Sequence, residues 1–416
     1  MAKVAPNNWT TVALHKRETA GSGYWGHPGI CTVTFCEGDP AVAFATLKTR
    51  CREVIDANPW VAGRFLKKKL IHPPTGSDAL VAEMVSLCSV PGVSRATPYK
   101  ALVKATGMNP DVAVTNAKKI QKSNSLITKV TVVEPQAAGG EFAIVFSMSH
   151  SAADGHDYYR ICNMLMGNAP VVAMSPERVA EYETCESEWT GKKDFGWISG
   201  GGGLIKGLLM GLLFGPKAQW CCLEVDAAKV DARKKSAVAQ SGAGTSFVST
   251  NDVLTSHFCK VAKARVAMMV VNFRDKTRLK IGDDHAGCYE GCLLLDPENY
   301  ADPAKIRKCV AGGIPMTRQT ESAPLPGFCG KAPMALITSW ASFPFELTLE
   351  GVTKQVLHLP CMDMPDMFDV SIVFKPQPGK LGLLCLAKRA KPKALVAGED
   401  SPLGGTVDAG IFPPNY

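Results

Sequence analysis

Ser147-Met148-Ser149-His150-Ser151-Ala152-Ala153-Asp154-Gly155 joins an apolar run to a helical one and sets a histidine at the junction. The residues before it, Phe142-Ala143-Ile144-Val145-Phe146, read as a buried strand, since a short continuous apolar run suits a strand covered on both faces. Those after it, Tyr158-Tyr159-Arg160-Ile161-Cys162-Asn163-Met164-Leu165-Met166, read as a helix. His150 therefore stands at a strand end, with Asp154 four residues on and Gly155 beside it. A neutral imidazole there can serve as a general base, because its unperturbed pKa is about 6.5. The plainer alternative is a satisfied histidine at a strand end followed by an Asp-Gly turn.

Four further segments occur in a fixed order. They are Asn58-Pro59-Trp60-Val61-Ala62-Gly63-Arg64-Phe65, Val248-Ser249-Thr250-Asn251-Asp252-Val253-Leu254-Thr255-Ser256-His257, Val271-Asn272-Phe273-Arg274-Asp275-Lys276-Thr277-Arg278-Leu279 and Ile337-Thr338-Ser339-Trp340. With the H-x-x-x-D-G stretch they resemble, in register, the conserved elements of the BAHD-like branch of the CoA-dependent acyltransferase superfamily. The resemblance implies an α/β fold of two similar chloramphenicol acetyltransferase-like domains. Each would be a mixed sheet flanked by helices, with an active-site channel at their interface. It implies acyl transfer from acyl-CoA to a hydroxyl or amine through a ternary complex, with His150 as general base. Asp154 would orient the local backbone through an ion pair with an arginine of the C-terminal half, for which Arg274 is the candidate, and Gly155 would leave room for substrate. Thr338, Ser339 and Trp340 would lie on the strand that faces the histidine and bind the oxyanion or the thioester. Ser249, Arg274, Arg278 and Lys280 are the candidates for CoA. Acyl-CoA is then a co-substrate, with no tightly bound cofactor.

The resemblance is incomplete. The family carries D-F-G-W-G shortly after the tryptophan strand, where this chain has Phe345-Glu346-Leu347-Thr348-Leu349-Glu350-Gly351-Val352. A copy, Asp194-Phe195-Gly196-Trp197, stands between the two halves and is read as a coincidence, so the chain looks like a divergent member.

Composition narrows the remaining classes. A chain of 416 residues with 46% apolar content can bury two domain cores, and 20% charge without a long polar tract argues against disorder. The net charge of +8 is mild, and the basic residues are scattered with no reader motif, which argues against nucleic-acid binding. The fifteen cysteines, among them Cys36, Cys88, Cys292 and Cys385, sit in apolar runs without C-x-x-C spacing. The Met1–Val12 segment lacks the charged and apolar regions of a secretory signal. Reduced cysteines in a cytoplasmic monomer are therefore expected, with no metal, since the eight histidines do not pair with cysteines at zinc-ligand spacing.

Along the chain the halves are expected at 1–190 and 221–416, with a Gly/Leu-rich crossover at 191–220. Strands are expected over 29–38, 125–133, 141–148, 264–273, 334–340, 369–374 and 380–387. A helix is expected over 40–57 with Val42, Phe44, Leu47, Cys51, Val54 and Ile55 on one side. Ser249-Thr250-Asn251-Asp252 reads as a helix start. In the crossover, Gly203 to Gly215 places a glycine at every fourth residue among leucines. Three readings are open for it: packing between the halves, lining a channel for a lipophilic acyl chain or acceptor, or contact with a membrane periphery. About 13 residues give ~20 Å, too short for a ~30 Å bilayer core.

Acyl-CoA and a small, lipophilic acceptor are thus the expected partners, with no obligate protein partner. Two other functions stay open. One is an inactive scaffold or binding protein with the acyltransferase fold. The other is a carrier-protein-dependent condensation domain, although such domains usually carry a second histidine where this chain has Ser149.

Overall fold

A computed structural model describes residues 8–20, 24–137, 139–200, 202–241, 245–275, 279–311, 316–318, 324–327, 333–364 and 366–413. Arg278, with Lys276 and Thr277 of its element, lies outside the described residues. The chain forms two compact units. The first comprises Met1–Ala180, Arg274–Tyr289 and Ser342–Asp363; the second comprises Glu181–Phe273, Glu290–Ala341 and Met364–Tyr416. Compactness therefore does not follow one cut at the crossover: two later segments return to the first unit.

The first unit is built on a five-stranded sheet in the order β12-β2-β7-β6-β5, formed by Val352–Pro360, Ile30–Gly38, Phe142–Met148, Thr128–Val133 and Val85–Cys88. β7 lies at its centre, antiparallel to β2 and β6, with Val145 opposite Val33 and Thr131. All seven residues of β7 are buried, which is why its sequence is a continuous apolar run rather than an alternation. β12 comes from the late segment and pairs antiparallel with β2 at the sheet edge. Its first half, Val352-Thr353-Lys354-Gln355, is not buried, and its register shifts twice, so it carries neither a clean period nor an apolar run.

The helix Pro40–Ala57 starts where expected. Asp39 caps it by accepting from the Ala41 and Val42 N–H groups, and Pro40 occupies the first turn, where no N–H is needed. Its buried face is Ala43, Leu47, Cys51, Val54 and Ile55. The expected face is corrected at its start: Val42 points outward at 39% exposure, and Ala43 takes the inward place on the 3.6-residue period.

A small antiparallel sheet, β1-β4-β3 (Thr10–Val12, Lys69–His72, Arg64–Leu66), completes the first unit's strands among the described residues. The Asn58–Phe65 element has a structural use here. The Asn58 side chain donates to the Val172 carbonyl and accepts from the Met174 N–H, while Arg64 pairs with Glu83 at 2.5 Å.

The second unit carries a seven-stranded sheet, β10-β9-β11-β13-β14-β8-β15. Its strands are Glu290–Leu295, Val266–Asn272, Met334–Ser339, Asp369–Phe374, Gly382–Ala387, Gln219–Val225 and Leu403–Thr406. β9, β11 and β13 run parallel; the remaining pairs are antiparallel. Beside this sheet lies the helix Thr250–Ala262, whose start is a capping box. The Ser249 hydroxyl accepts from the Asp252 N–H at 3.1 Å, and the Asp252 carboxylate accepts from the Ser249 N–H at 2.8 Å.

Candidate active site

β7 ends at Met148 and hands the chain to a turn over Ser149–Ala153. The Ser149 N–H donates to the Ile127 carbonyl at 2.8 Å, and the Ala152 N–H closes back on the Ser149 carbonyl at 3.0 Å. The helix Gly155–Met166 follows, with Asp154 as its cap: one carboxylate oxygen accepts from the His156 and Asp157 N–H groups at 3.0 and 3.2 Å. Nine of its twelve residues are buried, which fixes its start against the sheet and so fixes the turn that carries His150.

Asp154 is 1% exposed, and its second oxygen accepts from Arg274 Nη1 at 2.6 Å and from the Tyr289 N–H at 3.0 Å. Arg274 is a hub. Its Nη2 reaches Asp157 at 2.8 Å and the Gly287 and His285 carbonyls at 2.9 and 3.1 Å, and its guanidinium lies over the Tyr289 ring at 5.1 Å. Burial alone would raise the Asp154 carboxyl; the Arg274 charge outweighs it and holds it below its usual value. Asp157 goes the other way: burial and the neighbouring Asp154 charge raise it against the pull of the same arginine.

A second buried pair braces the turn. Glu18, fully buried, accepts from Arg178 Nε at 3.0 Å and from the His15 and Cys288 N–H groups at 2.7 and 2.9 Å. Arg178 Nη2 donates to the Ala152 carbonyl at 2.9 Å, inside the histidine turn, and Nη1 donates to the Ala286 carbonyl at 2.8 Å. The Cys288 thiol donates to the His150 carbonyl at 3.0 Å. Segment 274–289 is thus held to the histidine turn by the Arg274–Asp154 ion pair and by the hydrogen bonds of the Glu18–Arg178 pair.

His150 as a residue is half-buried. The Tyr24 ring lies tilted against it at 4.4 Å, and the His27 ring meets it edge-on at 5.7 Å. Burial pulls the imidazole down to about 4; hydrogen bonds to the backbone of His150 and Ala153 and the Asp154 charge oppose this, and the Arg17 charge adds to it. His150 is therefore neutral at physiological pH, the form able to accept a proton. His27 is lowered to about 4 as well, by burial and by His150.

The expected residues divide by unit. His150, Asp154, Gly155 and Arg274 come together in the first unit. Lys280 is in the same unit, exposed, with a left-handed φ of 50°. Thr338, Ser339, Trp340 and Ser249 belong to the second unit. There Trp340 is 8% exposed, its backbone N–H donating to the Val373 carbonyl at 2.8 Å, while Thr338 and Ser339 are half-buried at the end of β11.

Two of the CoA candidates already have partners within their own units. Arg274, at 3% exposure, has its guanidinium between two carboxylates and two carbonyls. The Ser249 hydroxyl is engaged in the capping box. The displaced Asp194-Phe195-Gly196-Trp197 copy has a structural place in the second unit: Asp194 pairs with Arg318 at 3.0 Å, and Trp197 Nε1 donates to the Pro326 carbonyl at 3.0 Å.

Sequence reasoning missed Glu18, Tyr24, His27, Arg178 and Cys288. Glu18 and Arg178 are 160 positions apart, and neither stands in an apolar run that would advertise burial. Only Tyr24 and His27, two rings three residues apart in a Gly-rich stretch, gave a local sign.

Asp154, His156 and Asp157 offer donor atoms within 4.8 Å of one another, the spacing of a metal site. Arg274 already places a positive charge between the two carboxylates, and a cation would have to displace it.

No protein-family model matches the chain, and no curated protein matches it in sequence. Solved structures do match in fold. TRI101 of F. sporotrichioides, complexed with coenzyme A and T-2, is 12% identical with a TM-score of 0.58, over 91% of this chain and 95% of its own. Vinorine synthase is 13% identical with a TM-score of 0.56, over 92% of this chain and 91% of its own. The first condensation domain of the calcium-dependent antibiotic synthetase is 13% identical with a TM-score of 0.56, over 95% and 94%. The chain therefore has the two-domain, chloramphenicol acetyltransferase-like α/β fold that CoA-dependent acyltransferases share with condensation domains.

Proposed function

We propose that this protein is an acyl-CoA-dependent acyltransferase that moves an acyl group onto a hydroxyl or amine with His150 as general base. The observation that carries the reading is a neutral imidazole, on a half-buried residue, in a turn braced by two buried ion pairs. Such bracing costs each buried charge its hydration, which suits a turn that must hold one geometry.

In the proposed step, His150 takes the proton of the acceptor O–H or N–H as the acceptor attacks the thioester carbonyl carbon. The carbonyl π pair moves onto oxygen, giving a tetrahedral oxyanion. The oxyanion collapses, the C–S bond breaks, and the departing thiolate recovers the proton from the imidazolium. The products are an ester or amide and free CoA. No acyl-enzyme is needed, and water must be kept from the base or hydrolysis competes. Asp154 and Arg274 are positioning residues that keep the ring in place.

Release of CoA thiol from acetyl-CoA and longer acyl-CoAs, against a panel of alcohols and amines, tests the reading. His150→Ala should lower the rate by about 10²–10⁴, the usual worth of a general base. A wild-type rate at background with every donor and acceptor would leave the scaffold reading standing. Transfer only from a carrier-protein-tethered acyl group would favour the condensation-domain reading instead. Thr338→Val, Ser339→Ala, Trp340→Phe and Lys280→Met belong in the same assay, since those four remain candidates for oxyanion or CoA contact.

A further inference from the structure

The helix Gly202–Phe214 is built the opposite way round from an ordinary surface helix. Its buried positions are Gly203, Gly207 and Gly211, while Ile205, Leu209, Met210, Leu212, Leu213 and Phe214 are exposed, from 43% for Met210 to 74% for Phe214. The glycine face lets the backbone lie directly on the second unit. A Cβ at Gly203 would fall 1.9 Å from the Pro326 carbonyl oxygen, and one at Gly211 would fall 1.8 Å from that of Met367. Leu204 and Leu208 pack beside the cluster of Trp197, Val266, Met268, Leu294 and Met334. Water is thus left facing six large apolar side chains on 13 consecutive residues, and an exposed apolar patch of this kind marks an interaction surface.

We infer that this face docks on an anionic lipid surface, lying in the plane of the headgroups. Charge selects that occupant. Lys192 and Lys193 precede the helix, Lys206 lies within it and Lys217 follows it. The one acidic residue over 192–217 is Asp194, which is neutralised by Arg318. The nearest acidic run, Glu181, Glu183, Glu186 and Glu188, belongs to the preceding helix Glu181–Thr190. Apolar side chains flanked by lysines fit the boundary between acyl chains and anionic headgroups.

By length and composition the stretch Lys192–Phe214 could also cross a bilayer. Its attachments argue against that orientation. Asp194 is paired with Arg318, the Trp197 indole donates to Pro326, and the glycine face is in backbone contact at both ends. Spanning would break all of these and drag Lys206 through the hydrocarbon.

Sedimentation of the full chain with vesicles tests the inference. The wild type should partition onto phosphatidylcholine–phosphatidylserine vesicles and far less onto phosphatidylcholine alone, with added salt weakening the difference. Leu209→Ser/Leu213→Ser/Phe214→Ser should lower partitioning by roughly a hundredfold, since three large apolar side chains are lost from the face. Lys206→Gln/Lys217→Gln should remove much of the preference for anionic vesicles. Far-ultraviolet circular dichroism and urea unfolding of each variant check that the second unit stays folded. No wild-type binding to the anionic vesicles, or equal binding by the triple serine variant, overturns the proposal. So does a wild-type dimer in light scattering that the triple serine variant abolishes, because the face would then belong to a second copy of the chain.

Discussion

At the scale of the residue, Arg274 and His150 lend themselves to separate tests. Arg274 is a single guanidinium shared by two buried carboxylates, Asp154 and Asp157, at 2.6 and 2.8 Å. Removing it leaves both without a counter-charge, and breaking a buried pair in this way typically costs about 3–5 kcal/mol. Arg274→Met should therefore lower the stability seen in urea unfolding by that amount. An effect below about 1 kcal/mol would mean that the carboxylates are satisfied by the Gly287, Tyr289 and helix N–H groups alone. His150 makes a different forecast. Its pKa is depressed, so the protonated form, which cannot act as a base, accumulates only as the pH falls through about 4. The kcat/KM for CoA release should be flat from pH 8 down to about 5 and fall below that, and a limb near the ordinary 6.5 would show a ring far better hydrated than its Tyr24 and His27 neighbours allow. His150 and Asp154 were legible in the sequence because strand, turn and helix are local. Arg274 was legible as a partner of Asp154 only through family resemblance, since an ion pair 120 positions apart leaves no periodic trace.

At the scale of the element, local rules worked wherever a segment packs one face against its own unit. The Pro40–Ala57 helix, β7 and the capping box at Ser249 were all readable from caps and apolar spacing. The glycine stripe of Gly202–Phe214 was readable too, and close packing on its own unit is what it provides. Two glycines of neighbouring helices make that claim measurable. Helix propensity alone favours alanine over glycine by about 1 kcal/mol at an interior site. At Gly196, in Lys192–Ile198, a Cβ meets nothing within 4 Å, so Gly196→Ala should stabilise by up to about that amount. At Gly211 the Cβ would fall 1.8 Å from the Met367 carbonyl oxygen, and the helix must lift away. Gly211→Ala should therefore destabilise by about 1–3 kcal/mol, the usual range for overpacking. Urea unfolding of the two variants side by side separates packing from propensity, and equal shifts would show that the stripe is incidental.

At the scale of the whole molecule, the first unit is assembled from three stretches of chain, and this is where sequence reading by halves ran out. The expected N-terminal half, residues 1–190, contains β7, His150 and Asp154 but neither Arg274 nor β12. Long-range pairing of this sort is invisible to periodicity, because β12 shows half a polar face, two register shifts and a partner more than 300 positions away. The absence of segments 274–289 and 342–363 would have physical consequences. β2 would become an open edge, with a row of unpaired backbone groups beside Val33 and Phe35. Asp154 and Asp157 would be buried without a cation, and Glu18 would lose the Cys288 N–H. Open apolar edges and unpaired buried charges each favour aggregation or partial unfolding over a native unit. A polypeptide of residues 1–190 expressed alone should therefore be insoluble or should melt without a cooperative transition, even though it holds the whole H-x-x-x-D-G element. Cooperative urea unfolding of that fragment, at the midpoint of the full chain, would show that segments 274–289 and 342–363 merely decorate the first unit rather than complete it.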